Sequence, residues 1–191
     1  MGYSLEFYSL AWDSLRIELT QPRRGILDDA RRVKGIGPFH SRSAESALQW
    51  RAAIAGVSRA LNSGGLDEFE LVGDKALAFA VMVRYLGSSL GTLDHASASG
   101  KEFRDEFLDR IAGQCFQEPM LGTRLTERAF YGLISLEYPS WGGLTREEVR
   151  RIVESFRPTA IEARYQVWLD ELRDILDAAS ERDSDVMTLY M

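Results

Sequence analysis

Cysteine, histidine and lysine are nearly missing from this chain: 191 residues hold one Cys, two His and three Lys. A lone Cys115 cannot close an intrachain disulfide, and zinc sites built on paired cysteines are excluded. So thiol-poor a chain fits a reducing compartment, and a cytoplasmic location is expected. His40 and His95 belong to no H-E-x-x-H or H-x-x-x-H pair, so no metal and no cofactor are expected. Long apolar runs are missing too. The longest, residues 76–83, is closed by Arg84 and falls far short of the ~18 residues that span a bilayer. The start has no basic segment leading into an apolar core, so neither a secretory signal nor membrane attachment is expected. There is no Walker sequence, and Gly35-x-Gly37 lacks the third glycine of a dinucleotide fingerprint, which leaves it as a helix stop.

What is present reads as an ordinary globular chain. Hydrophobic residues make up 45% and charged residues 27%, enough apolar content to exclude a wholly disordered chain. The length suits one domain, taken here as 1–191. The formal charge is −6, from 23 basic and 29 acidic residues. A nucleic-acid binder usually carries a basic excess, so nucleic acid is disfavoured as a partner. The imbalance is uneven, however. Residues 1–65 hold nine basic and six acidic side chains, and the acid excess lies beyond them. Arg23, Arg24, Arg31, Arg32 and Lys34 make the densest basic patch, with Asp28 and Asp29 inside it as local partners.

Periodicity predicts an α+β fold. Tyr3, Leu5 and Phe7 alternate with Ser4, Glu6 and Tyr8, the pattern of a half-buried strand. Helices are predicted over 12–19, 26–34, 43–63, 74–87, 101–115, 145–156 and 158–182. Residues 74–86 are apolar on almost every side, which marks a central helix. Gly87 is expected to cap it with positive φ, and residues 88–100 are expected to form a loop. Ala129 to Tyr131 reads as helical and Ile134 to Tyr138 as extended. Pro139 to Gly143 reads as a turn, Thr145 with Glu148 as a capping box, and Pro158 as the first turn of the last helix. Val186 to Met191 is a terminal strand that needs a partner, and the first strand is the simplest one. The expectation is a mainly helical α+β domain with a small sheet pairing the two chain ends.

Three patterns bear on function. The last helix carries Asp170, Asp174, Asp177 and Glu181 at four-and-three spacing, opposite its apolar stripe. Such a face is most often merely solvated, but its regularity also suits a basic protein partner. Asp94 and His95, with His40, are the only constellation a carboxylate/His hydrolase or transferase could use. Gly87-Ser88-Ser89-Leu90-Gly91 matches G-x-S-x-G, but a nucleophile elbow needs a strand before the serine and a helix after it. The leading expectation is a non-catalytic interaction module of immunity or antitoxin type. Its catalytic set is empty, and its partner-binding residues are the four carboxylates. The alternative is the small enzyme. Oligomeric state is not legible.

Four stretches also carry a resemblance. They are Gly2-Tyr3-Ser4-Leu5-x-x-Tyr8, Ala76-Leu77-x-x-Ala80-x-x-x-Arg84-Tyr85-Leu86-Gly87, Tyr138-Pro139-Ser140-x-Gly142-x-Leu144-Thr145-x-Glu147-Glu148-Val149, and the last helix with its terminal strand. Together they resemble a family of bacterial proteins of unknown function, more distantly similar to YfbM-like proteins. The resemblance implies a single α+β domain in a bacterial cytoplasm and transfers no catalytic residue.

Overall fold

Alternation at the start does produce a strand, β1 (Tyr3–Ser9), and the chain ends on another, β6 (Val186–Tyr190). The structure, a computed structural model, describes residues 3–63, 69–95, 103–135 and 139–191. Gly2, Gly64, Gly65, Tyr138 and the 96–100 part of the expected loop lie outside the described residues. The two end strands pair antiparallel, with Leu5 opposite Tyr190 and Phe7 opposite Thr188. They form the centre of a four-stranded sheet. Its edges are β3 (Ser88–His95) beside β1 and β5 (Ser140–Leu144) beside β6. Two further short strands, β2 (Phe69–Glu70) and β4 (Leu133–Ile134), pair parallel.

Because side chains alternate across a strand, the sheet has two apolar faces. Leu5, Phe7, Leu93, Val186 and Tyr190 look into one core. That core is closed by a wide-turned π-helix (Phe103–Ala112), α5 (Leu121–Thr126), α6 (Arg146–Glu154) and α7 (Ala163–Glu181). Met187, Leu189 and Trp141 look into the other core, closed by α1 (Trp12–Thr20), α2 (Ile26–Lys34), α3 (Ala44–Asn62) and α4 (Asp74–Leu86). The sheet is thus a middle layer between helices. The α4 residues Ala78 to Val83 are all fully buried, as an all-round apolar helix requires. Each buried Leu or Phe contributes about 1.5–3 kcal/mol.

The capping box forms as expected. Glu148 N–H donates to Thr145 Oγ1, and Thr145 N–H to Glu148 Oε2 at 2.8 Å. Five expectations fail. Residues 88–95 are an edge strand and not a loop. Only Leu93 and His95 of this strand are fully buried, so the apolar signal is too thin to see. Gly87 takes φ −81°, ψ 147°, because the chain leaves α4 directly into that strand. Residues 140–144 are a buried strand and not a turn. Gly142 is there for close approach, since any Cβ would collide with the Arg124 carbonyl of α5. Residues 129–131 are not helical. Phe130 and Leu133 exchange two 2.9 Å backbone bonds around Tyr131 (φ 48°) and Gly132 (φ 82°), a type I′ hairpin turn. The last helix starts at Ala163 and not at Pro158. Arg157 N–H donates to Cys115 O at 2.7 Å, and Thr159 Oγ1 lies 3.3 Å from Cys115 Sγ, holding that stretch outside the helix. On α3, Trp50, Ala53, Ile54 and Val57 take the inner face, while Ala44 and Leu48 face solvent.

Candidate functional site

The outer face of α7 carries the four carboxylates that the spacing singled out, but they are not equivalent. Asp170 accepts from Gln166 Nε2 at 2.8 Å, and Asp177 lies 3.6 Å from Arg173 Nε. Asp174 and Glu181 are exposed and meet no cation among the described residues. Elsewhere the chain pairs its acids readily. Glu6 accepts from Nε and Nη2 of Arg84, and Glu118 pairs with Arg124 and Arg151. Glu148 binds Arg124 and Arg128. Burial pushes the Glu148 carboxyl up, but the Thr145 N–H and the two arginines outweigh it and hold it below the usual range. Between Glu162 and Asp185, eight carboxylates face three arginines, so this segment holds most of the molecule's net charge.

The other constellation does not converge as a set. His95 is buried on the α7 side of the sheet, opposite Tyr3 in the register. It stacks on Phe103 at 4.1 Å, and its Nε2 lies 2.8 Å from the Tyr190 hydroxyl. Burial lowers its pKa, with the Asp94 charge opposing. Asp94 follows the alternation onto the other face and is exposed, and its carbonyl accepts from Trp168 Nε1 at 3.1 Å. His40 is exposed after a single 3₁₀ turn (Gly37–Phe39) packed on α3 and α4, with Nδ1 3.2 Å from Gly35 O. The sheet therefore separates His40 from His95. Ser89 follows a helix and sits within a strand, the reverse of a nucleophile elbow.

The sequence reading missed a cleft of about 430 Å³ beyond the end of α7. Its walls include Trp12, Asp13, Tyr131, Arg146, Asp183 and Asp185. Asp185 is its pivot. Oδ2 accepts from Trp12 N–H at 3.2 Å and Oδ1 from Arg146 N–H at 3.0 Å, so one carboxylate caps both α1 and α6. Tyr131 donates to Asp13, and burial with that bond pushes the phenol up to about 12. No local motif announces this, because the two capped amides lie at positions 12 and 146. Two members of the basic patch have acid partners, Arg23 with Glu18 and Arg32 3.9 Å from Asp29, while Arg24 and Lys34 are exposed. Arg31 is buried instead. Cys115 is also buried, as a structural thiol should be.

Among the described residues no helix is long and apolar enough to cross a membrane, and no group of three or more His, Cys, Asp or Glu is placed to hold a metal ion. No protein-family model matches the chain, and the searches of curated proteins and of solved structures gave no match.

Proposed function

We propose that the protein is a non-catalytic interaction module that receives a basic protein partner on the outer face of α7, in the manner of an immunity protein or antitoxin. The observation that carries this reading is the pair Asp174 and Glu181. They are exposed and two turns apart on a 19-residue helix, and no cation meets them among the described residues, although Asp177 between them has Arg173. Like charges at three- and four-residue spacing cost a few tenths of a kcal/mol per pair on an isolated helix, so the face is mildly unfavourable until a cation arrives. Opposite potentials speed encounter and fix register, and they weaken with salt. In this reading the chain acts in a bacterial cytoplasm, as its resemblance to the bacterial family implies.

The test is the double variant Asp174→Asn, Glu181→Asn. Its unfolding midpoint should be unchanged or slightly higher, and affinity for a partner captured by the parent should fall. A loss of stability would mean that these carboxylates serve the fold. Unchanged affinity for every captured protein would remove the support for this reading.

A further inference from the structure

The two edges of the four-stranded sheet differ. β5 is buried over its whole length, with α5 against it. β3 leaves Ser88, Ser89, Thr92 and Asp94 exposed and has a neighbour on one side only, β1. The bonds of β1 decide which backbone groups of β3 are free. Ser4 N–H donates to Met191 O at 3.2 Å and Met191 N–H to Ser4 O at 2.9 Å, so the backbone of Ser4 points away from β3. Glu6, two residues on and opposite Leu189, points the same way. Asp94 stands opposite Ser4 and Thr92 opposite Glu6, so both turn N–H and C=O outward to the open edge. The Asp94 carbonyl bears this out by accepting from Trp168 Nε1 at 3.1 Å. The N–H groups of Thr92 and Asp94 and the Thr92 carbonyl have no protein partner among the described residues. Open edges are normally blunted by Lys, Pro or a bulge. β3 has neither Lys nor Pro, and its register shift lies at the Ser89 end, leaving Gly91 to His95 in regular register.

The helix beneath this edge gives a partner its chemistry. α7 passes under β3 in the opposite direction: Trp168 meets Asp94, and Ile175 lies under Gly91, where an added Cβ would come within 2.8 Å of it. At 3.6 residues per turn, Glu171 and Ala178 come next outward on that flank, followed by Asp174 and Glu181. Asp170 and Asp177 lie further round, on the side where Arg173 covers the Phe156 ring. Asp94, Glu171 and Asp174 are exposed and meet no cation among the described residues. The arginines of the flank, Arg164 and Arg182, stand at its two ends, and Arg164 is held by Glu162 and the Tyr165 ring. Val167, 62% exposed, and the half-buried Trp168 and Leu90 add apolar surface along the same groove. An unpaired strand edge thus runs beside an acidic, partly apolar helix flank.

We propose that the free edge of β3 takes an added antiparallel strand, a lysine- or arginine-bearing extended segment of the partner. This docking mode rests on the reading of α7 as the face for a basic partner and says how that partner is held. Backbone bonds to Thr92 and Asp94 supply the attachment, and the flank of α7 selects the charge. Every pairing in this sheet is antiparallel, and residues directly opposite each other then share a face. Leu93 and His95 look toward α7, so Thr92 and Asp94 carry their side chains on the other face. The partner residues that bond Thr92 and Asp94 do the same. The residues between them turn their backbone to solvent and their side chains to Glu171 and Asp174. The basic residues belong at these intervening positions.

The probe is a short peptide of alternating valine and lysine, titrated into the full chain and followed by amide spectra and calorimetry. The Thr92 and Asp94 amides should shift and become protected from exchange, and a valine–glutamate peptide should leave them unchanged. N-methylation of the valines removes the edge-facing N–H groups and should weaken binding about tenfold or more, whereas N-methylation of the lysines should spare it. Thr92→Pro removes an edge N–H and no bond to β1, and should also weaken the peptide; the methylated peptides read the same contact in the unaltered chain if this variant fails to fold. Glu171→Gln with Asp174→Asn should weaken binding severalfold at low salt. Equal effects of the two methylations would overturn the added strand, and a carboxylate variant that still loses affinity would leave the α7 reading standing. Affinity unmoved by methylation and by the carboxylate variant would overturn both. Thr92 and Asp94 amides that become protected without peptide, in a dimer formed as protein concentration rises, would give the edge to a second copy and overturn its assignment to a basic segment.

Discussion

Replacing half-exposed Asp185 with alanine should be costly, because one carboxylate serves two helices. A side-chain cap contributes about 0.5–2 kcal/mol, and a negative charge at a helix start a further 0.3–1 kcal/mol. Asp185 caps α1 through Trp12 N–H and α6 through Arg146 N–H. The residue also stands one place before β6, and its own carbonyl accepts from Leu10 N–H at 3.1 Å. Two caps with part of the charge terms place Asp185→Ala at about 2–4 kcal/mol. Asp185→Asn keeps one acceptor and turns an N–H₂ group toward the other donor, so it should lose roughly half as much. Guanidinium unfolding followed by tryptophan fluorescence gives both values, with slopes unchanged from the parent. A cost below about 0.5 kcal/mol for the alanine variant would show that water replaces the carboxylate at both helix starts and would refute the double cap.

Gly142→Ala should abolish soluble expression or lower the melting temperature severely, because the new methyl meets the Arg124 backbone, which cannot move aside as a side chain can. A variant that melts with the parent would mean that α5 does not press on β5. Deleting residues 187–191 should cause aggregation, since β1 and β5 would both lose their hydrogen-bonded neighbour. A soluble truncation that unfolds at the parent temperature would contradict the sheet order. His95 should make the fold acid-sensitive. Its pKa is lowered in the folded state, so above the free-imidazole value of 6.5 both states are neutral and nothing is lost. As pH falls below 6.5 the unfolded chain binds the proton first and stability declines. An imidazole titration of the folded protein at or above 6.5 would overturn that assignment.

The parts of the fold that could be read from the residues are those whose signal is local and strong. The alternation of Tyr3 to Tyr8, the all-apolar surface of residues 76–83 and the Thr145–Glu148 box each contain their own explanation. The pairing of the chain ends followed from a terminal strand that needed a neighbour. The misread stretches are those where distant groups decide. Ser88 to His95 looks like a polar loop until β1 supplies its hydrogen bonds. Ser140 to Leu144 looks like a turn because its glycines answer to α5 and not to a bend. The start of the last helix is delayed by contacts to Cys115, 42 and 44 positions upstream of their partners. The candidate site divides in the same way. Spacing marked the carboxylates of α7, but only the structure separates Asp170 and Asp177, which have local partners, from Asp174 and Glu181, which have none among the described residues. The separation of His40 from His95 and the double cap of Asp185 depend on the layering of helices about the sheet.

The central claim is that the outer face of α7 is held ready for a cationic surface. The most direct measurement is the affinity of a purified partner, captured with the parent chain, for the parent and for Asp174→Lys, Glu181→Lys. It should be taken by calorimetry at about 50 and about 500 mM salt, ionic strengths that span weak and nearly complete screening of surface charge. The account predicts a parent affinity that falls steeply with salt, and a charge-reversed variant that binds weakly at low salt while unfolding at the parent's midpoint. Equal affinity of the two proteins, with the same salt dependence, would contradict it.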